Sequence, residues 1–274
     1  MGMAITAVSD LGKLLRHNPI ILAVGVVAML VYSVLNTLLG LIPLIGNLIG
    51  LLLYPAFIAG LLGIIYAGRD GTASVGDFFS SVTDRYLPML GAYVLTMLPA
   101  IVVGIVFTLA AVFLLPSGSP QPTTATGTAP GATGGLASVG PALFASLAVG
   151  LLFMLGYLFL QFFNVAIIAG EGVLDSFRKS IAMTLTAPLS TVGFTLIKVA
   201  MGGVILGIPW AIIFFALFGG SIAGDAGGAG LGSALAGGVT LVALVGYVLV
   251  AVPLWRVVTS TYHVAYFNRR QAQD

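Results

Sequence analysis

Six apolar runs, each long enough to cross a bilayer, fill most of this chain and leave lipid as the solvent it can fold in. A helical span needs about 20 apolar residues, rising about 1.5 Å each, to cross roughly 30 Å of hydrocarbon. The runs lie at about 19–41, 48–67, 88–115, 139–168, 189–218 and 239–262. Only 7% of the 274 residues are charged and the mean hydropathy is +1.15. A water-soluble domain carries about 25% charged residues over its surface, so this chain cannot build a water-facing shell.

The few charges fall in short segments between the runs, and those segments resemble one another. Val8-Ser-Asp10 leads to Pro19, Val75-Gly-Asp77 to Pro88, and Val173-Leu-Asp175 to Pro188. Each segment has helical spacing. In the first, Ile5, Val8, Leu11, Leu14 and Leu15 share a side; in the second, Val75, Phe78, Phe79, Val82 and Tyr86; in the third, Val173, Leu174, Phe177 and Ile181. That pattern suits helices lying in the headgroup plane. Ser74 and Asp77 have capping-box spacing. A proline is tolerated at the first position of the span that follows. The fold expected is all-α: an integral membrane six-helix bundle of three repeats, each an amphipathic interfacial helix plus a transmembrane hairpin. The units cover about 4–67, 72–168 and 171–268, all within a single transmembrane domain spanning 1–274. Residues 117–138, rich in Pro, Gly, Ser, Thr and Ala, read as a flexible extracytoplasmic loop. Gly219–Gly238 reads as a Gly/Ala-rich turn, and Gly202, Gly203 and Pro209 predict a kink in the fifth run.

The cations settle the expected threading. Lys13, Arg16, Arg69, Arg85, Arg178, Lys179, Arg269 and Arg270 fall on one side, and Lys198 and Arg256 within runs. None falls in the three connections on the other side. The positive-inside rule then puts both termini in the cytoplasm, with the cell membrane as the expected location.

Lys198 is the costliest residue to place, roughly 15 Å along the helix from Pro188. One reading has it snorkel to the headgroups. The other has it meet Gln161 and Asn164 of the fourth run in a polar intramembrane cluster, as structural glue or as a ligand contact. Trp255, Arg256, His263, Arg178 and Lys179 read as interfacial anchors. No metal-ligand spacing, nucleophile elbow or phosphate loop occurs, and cysteine is absent. The expectation is therefore no catalytic residue, no metal, no cofactor and no nucleic acid partner. Membrane lipids are the expected partners, with assembly into a homo- or hetero-oligomer left open. A non-enzymatic scaffold or accessory subunit leads, and a small-molecule transporter or channel built around Lys198 is the alternative.

Phe162–Ser180, FFNVAIIAGEGVLDSFRKS, resembles a family of archaeal, especially haloarchaeal, multi-pass membrane proteins of unknown function. More distantly it is similar to the membrane domain attached to some glycerophosphodiester phosphodiesterases. There an apolar span ends in an acidic turn, and a Phe-x-x-Ser segment opens the next span. Thr184–Pro188 departs from that pattern, which has basic residues and Asn after the Ser. The resemblance implies the membrane fold and no established activity.

Overall fold

A computed structural model describes residues 2–42, 44–114, 134–222, 238, 242 and 244–273. The protein is all-α, with no strand among the described residues. Its helices are α1 (Gly2–His17), α2 (Pro19–Gly40), α3 (Ile45–Asp70), α4 (Val75–Leu114), α5 (Gly134–Leu160), α6 (Phe163–Ile168), α7 (Val173–Thr186), α8 (Pro188–Ile222) and α9 (Val252–Gln271), the last preceded by a π-helical turn over Tyr247–Ala251. Among the described residues, five helical stretches are long and apolar enough to cross a membrane: Pro19–Gly40, Ile45–Asp70, Leu147–Ile168, Pro188–Ala211 and Leu244–Gln271. Their outward faces carry bare aliphatic and aromatic side chains, among them Leu38, Leu189, Val199 and Trp210. Apolar exposure on that scale suits lipid and not water. The expected third run lies in α4, and some of its side chains fall outside the described residues.

α9 is the hub. It packs against α1, α2, α3 and α8, and Val257, Tyr262, Val264, Tyr266 and Phe267 are buried along it. Phe194 of α8 stacks on Tyr262, with ring centroids 4.6 Å apart, and Phe162 stacks on Tyr266 at 5.5 Å. Offset aromatic contacts of this kind add to their burial. The Tyr262 hydroxyl donates to the Ala4 carbonyl at 3.1 Å. Arg269 makes a two-bond ion pair with Asp10, so α1 is fastened to α9 at two levels. Ala4, Ala7 and Leu11 are the side of α1 that packs inward, while Ile5 and Val8 face out. The apolar side of this segment is therefore divided between protein and surroundings.

The segments ending at Pro19 and Pro188 both break one residue before the proline. Asn18 has φ −127° and ψ 71°, and Ala187 has φ −144° and ψ 65°. A proline ring clashes with a helical residue ahead of it and pushes that residue into extended space. Asn18 also pins the break. Its side-chain amide donates to the Gly68 carbonyl at 2.7 Å, and its Oδ1 accepts from the Ala73 amide at 3.3 Å.

The middle segment behaves differently. α4 runs unbroken through Pro88 and Pro99, so no separate amphipathic helix ends at Pro88. From its start α4 lies antiparallel along α3: Ser81 sits on Gly63, and the Tyr86 hydroxyl donates to the Leu52 carbonyl at 3.2 Å. That contact with a membrane-crossing helix holds the segment in line with its own span, despite the N–H that Pro88 removes. Ser74 and Asp77 form the reciprocal cap that their spacing predicts, Asp77 Oδ2 accepting from the Ser74 amide at 2.7 Å and Ser74 Oγ from the Asp77 amide at 3.3 Å.

The fourth run differs too. It is interrupted at Gln161–Phe162, between α5 and α6. α8 continues through Gly202, Gly203 and Pro209 as one helix. α5 begins at Gly134, so the last residues of the expected loop are helical, while 115–133 lie outside the described residues. Most of the expected Gly/Ala turn, 223–237, lies outside them as well.

Candidate functional site

Two irregularities in the long apolar helices flank one cavity. In hydrocarbon an interrupted helix is tolerated only where other groups take up the freed backbone. At the α5–α6 interruption α7 supplies them. The Phe162 amide donates to Ser180 Oγ at 3.1 Å, Ser180 Oγ donates to the Phe159 carbonyl at 2.7 Å, and Thr184 Oγ1 donates to the Leu158 carbonyl at 3.2 Å. Ser176, Ser180, Met183 and Thr184 are the buried side of α7, and Leu174, Ile181 and Leu185 face outward. Docking thus combines the hydroxyls of Ser180 and Thr184 with part of the apolar stripe of the sequence pattern: Val173 and Phe177 pack inward, and Phe177 stacks on Phe163 with ring centroids 5.2 Å apart.

The second irregularity is the π turn Tyr247–Ala251, which ends just ahead of Pro253. A wide turn relieves the clash between a proline ring and the preceding carbonyls, and such turns recur at functional sites. It sets the register of Trp255, Arg256, Thr259 and His263.

The cavity between these features has a volume of about 140 Å³. Lys198, Arg256, His263, Gln161, Asn164 and Tyr157 are among its lining residues. Counting back along ideal helices, Arg256 lies roughly 20 Å from Arg269, and Lys198 roughly 15 Å from Pro188. Lys198 Nζ donates to the Tyr157 hydroxyl and approaches His263 Nε2 at 3.3 Å. His263 Nδ1 lies 2.9 Å from the Thr259 carbonyl. A carbonyl can only accept, so Nδ1 carries the proton, and Nε2 offers its lone pair to the ammonium. Arg256 Nη1 donates to the Tyr54 hydroxyl at 3.0 Å, and its guanidinium lies 4.8 Å from the Trp255 ring centroid. Among the described residues no Asp or Glu lines the cavity.

The three residues expected to cluster all line this cavity, but their direct hydrogen bonds go elsewhere. Gln161 pairs with Thr195 at 3.2 and 3.3 Å, and Asn164 Nδ2 donates to the Tyr93 hydroxyl at 3.0 Å. Asn164 Oδ1 and Trp255 Nε1 are buried with no hydrogen-bond partner. Trp255, Arg256 and His263, expected as interfacial anchors, line the cavity. Arg178 and Lys179 are at the surface of α7, where Arg178 pairs with Asp175 at 3.3 Å and Lys179 with Glu171 at 2.6 Å. Tyr54, Tyr157 and Thr259 were not singled out by sequence. Two mid-run tyrosines are a readable signal, since a phenol in hydrocarbon needs a partner.

Residues 3–270, nearly the whole chain, match the model of a family described as a domain of unknown function, DUF7847. No curated protein and no solved structure matches the chain.

Proposed function

This chain belongs to the DUF7847 family, and from that premise we propose that it is a non-enzymatic multi-pass membrane protein, a scaffold or accessory subunit that engages lipid or partner proteins. The reading has six spans, α4 supplying the sixth, and both termini on the cytoplasmic side of the cell membrane. It keeps the three repeated units, the matching breaks at Asn18 and Ala187 supporting the first and third and the unbroken α4 making the second a variant. The likeness of Phe162–Ser180 to haloarchaeal membrane proteins and to phosphodiesterase membrane domains fits the reading and rests on sequence alone.

The observation that carries it is the outward stripe of α7. Leu174, Ile181 and Leu185 are 64%, 38% and 63% exposed, with Arg178 in line between them. The opposite side of the helix is held by hydroxyl contacts, so this stripe is free to meet a bilayer or another chain. A photoreactive side chain in place of Ile181 should give adducts with lipid or with a second chain in native membranes. No adduct at that site, together with a lone lipid-free monomer on mild purification, would count against the proposal.

The orientation has its own test. An impermeant reagent should label a single reactive residue placed within 117–133 on intact cells. Labelling only after lysis would invert the threading.

The second reading, a small-molecule transporter or channel, is favoured by the polar cavity at Lys198. Flux into vesicles that Lys198→Leu abolishes would support it over the scaffold.

A further inference from the structure

Beside the cationic cavity runs a second space of opposite character. A groove of about 340 Å³ lies between α4 and α5, lined among others by Thr96, Pro99, Leu152, Phe153, Gly156 and Leu160. It is apolar apart from three hydroxyls, each already engaged: Thr96 donates to the Tyr93 carbonyl, the Tyr93 hydroxyl accepts from Asn164 and the Tyr157 hydroxyl accepts from Lys198. Tyr157 lines both spaces. A hydrogen bond also links the two, from Asn164 on the cavity to the Tyr93 hydroxyl on the groove at 3.0 Å. The groove adjoins the outward face of α5, where Leu151, Leu152 and Met154 are exposed, so an acyl chain can reach it from the bilayer.

We infer that cavity and groove together form a binding site for an anionic single-chain lipid, its acid group on Lys198 and Arg256 and its chain in the α4–α5 groove. Two cations share a confined space that, among the described residues, no carboxylate lines. Such charges inside a membrane cost several kcal/mol unless paired. An acid group offsets both, and it accepts from ammonium and guanidinium with short charge-assisted bonds. The cavity, about 140 Å³, has room for a carboxylate or phosphate group. A free inorganic anion would leave the groove without a role. A neutral lipid would leave the two cations with neutral partners alone. The inference goes beyond the scaffold reading and does not depend on what meets α7.

The test is saturable binding of radiolabelled palmitate to the full-length protein in detergent. Palmitate should bind, and methyl palmitate should fail to displace it. Lys198→Met and Arg256→Met should each weaken binding about ten-fold or more, the loss of one charged hydrogen bond, and Lys198→Arg should retain it. Gly156→Leu fills the groove from a position where a Cβ meets nothing within 4 Å. It should fold normally and weaken palmitate by a similar factor, so it tests the chain arm even if a charge variant misfolds. The inference is overturned if methyl palmitate competes equally, if Gly156→Leu binds palmitate unchanged, or if inorganic phosphate displaces palmitate as well as unlabelled palmitate does. The last result would assign the cavity to free anions.

Discussion

Alanine at Ser180 is expected to cost the protein about 2–4 kcal/mol of stability, a large loss for one hydroxyl. Ser180 Oγ serves two backbone groups at once, accepting from the Phe162 amide and donating to the Phe159 carbonyl. Both lie at the α5–α6 interruption, and Ser180 is fully buried. Removing the oxygen orphans a donor and an acceptor where water cannot replace it, at roughly 1–3 kcal/mol each. Ser176 is the internal control. It is equally buried, but its hydroxyl only donates back to the Val173 carbonyl of its own helix, so Ser176→Ala should change stability by less than about 0.5 kcal/mol, as back-bonding of this kind adds little. Denaturant titration in detergent reads both variants, and hydrogen exchange at the Phe162 amide should accelerate only in Ser180→Ala. Equal stability of the two variants would mean that α7 does not hold the interruption. Gln161 would then lose the argument for its place on the cavity.

Hydropathy and charge alone made the membrane-crossing stretches legible, because each is a property of a whole window and no packing detail alters it. The breaks at Asn18 and Ala187 were legible for a local reason: the constraint before a proline acts within one residue. Pro88 carries the same local signal, and there it lost. Ser81 packs on Gly63 and keeps α4 in line, a tertiary contact that no local pattern encodes. The α5–α6 interruption was hidden because Gln161-Phe162 carries no Gly or Pro. Its cause lies about twenty residues away, in hydroxyls that look like ordinary helix-surface serines.

Lys198, Gln161 and Asn164 could be assigned to one region by counting depth along adjacent runs. Which atoms they bond could not, since depth fixes level and not rotation. Trp255 and Arg256 show the same gap. Their place on one helix with His263 follows from spacing, but that Arg256 meets the Tyr54 hydroxyl depends on how this helix is rotated against α3.

Alanine at Gly63 is the second change with a large expected effect. A Cβ there would stand 2.1 Å from the Cβ of Ser81 and 1.9 Å from its Oγ. The hydroxyl can rotate away, but the Ser81 Cβ is fixed to the α4 backbone, so α3 and α4 must move apart. Overpacking costs about 1–3 kcal/mol, and this case belongs at the upper end because separation loosens dispersion contacts along the seam as well. Gly203→Ala is the reference: a Cβ there meets nothing within 4 Å, and helix propensity alone should make it neutral or stabilising by up to about 1 kcal/mol. Ser81→Gly removes the obstructing atom, so Gly63→Ala/Ser81→Gly should recover much of the loss, a coupling of about 1–3 kcal/mol in a double-mutant cycle. Recovery would place the cost at that contact. A Gly63→Ala protein as stable as Gly203→Ala would mean that α4 does not lie along α3 in this register, and with it would go the physical reason for a helix that passes Pro88 without breaking.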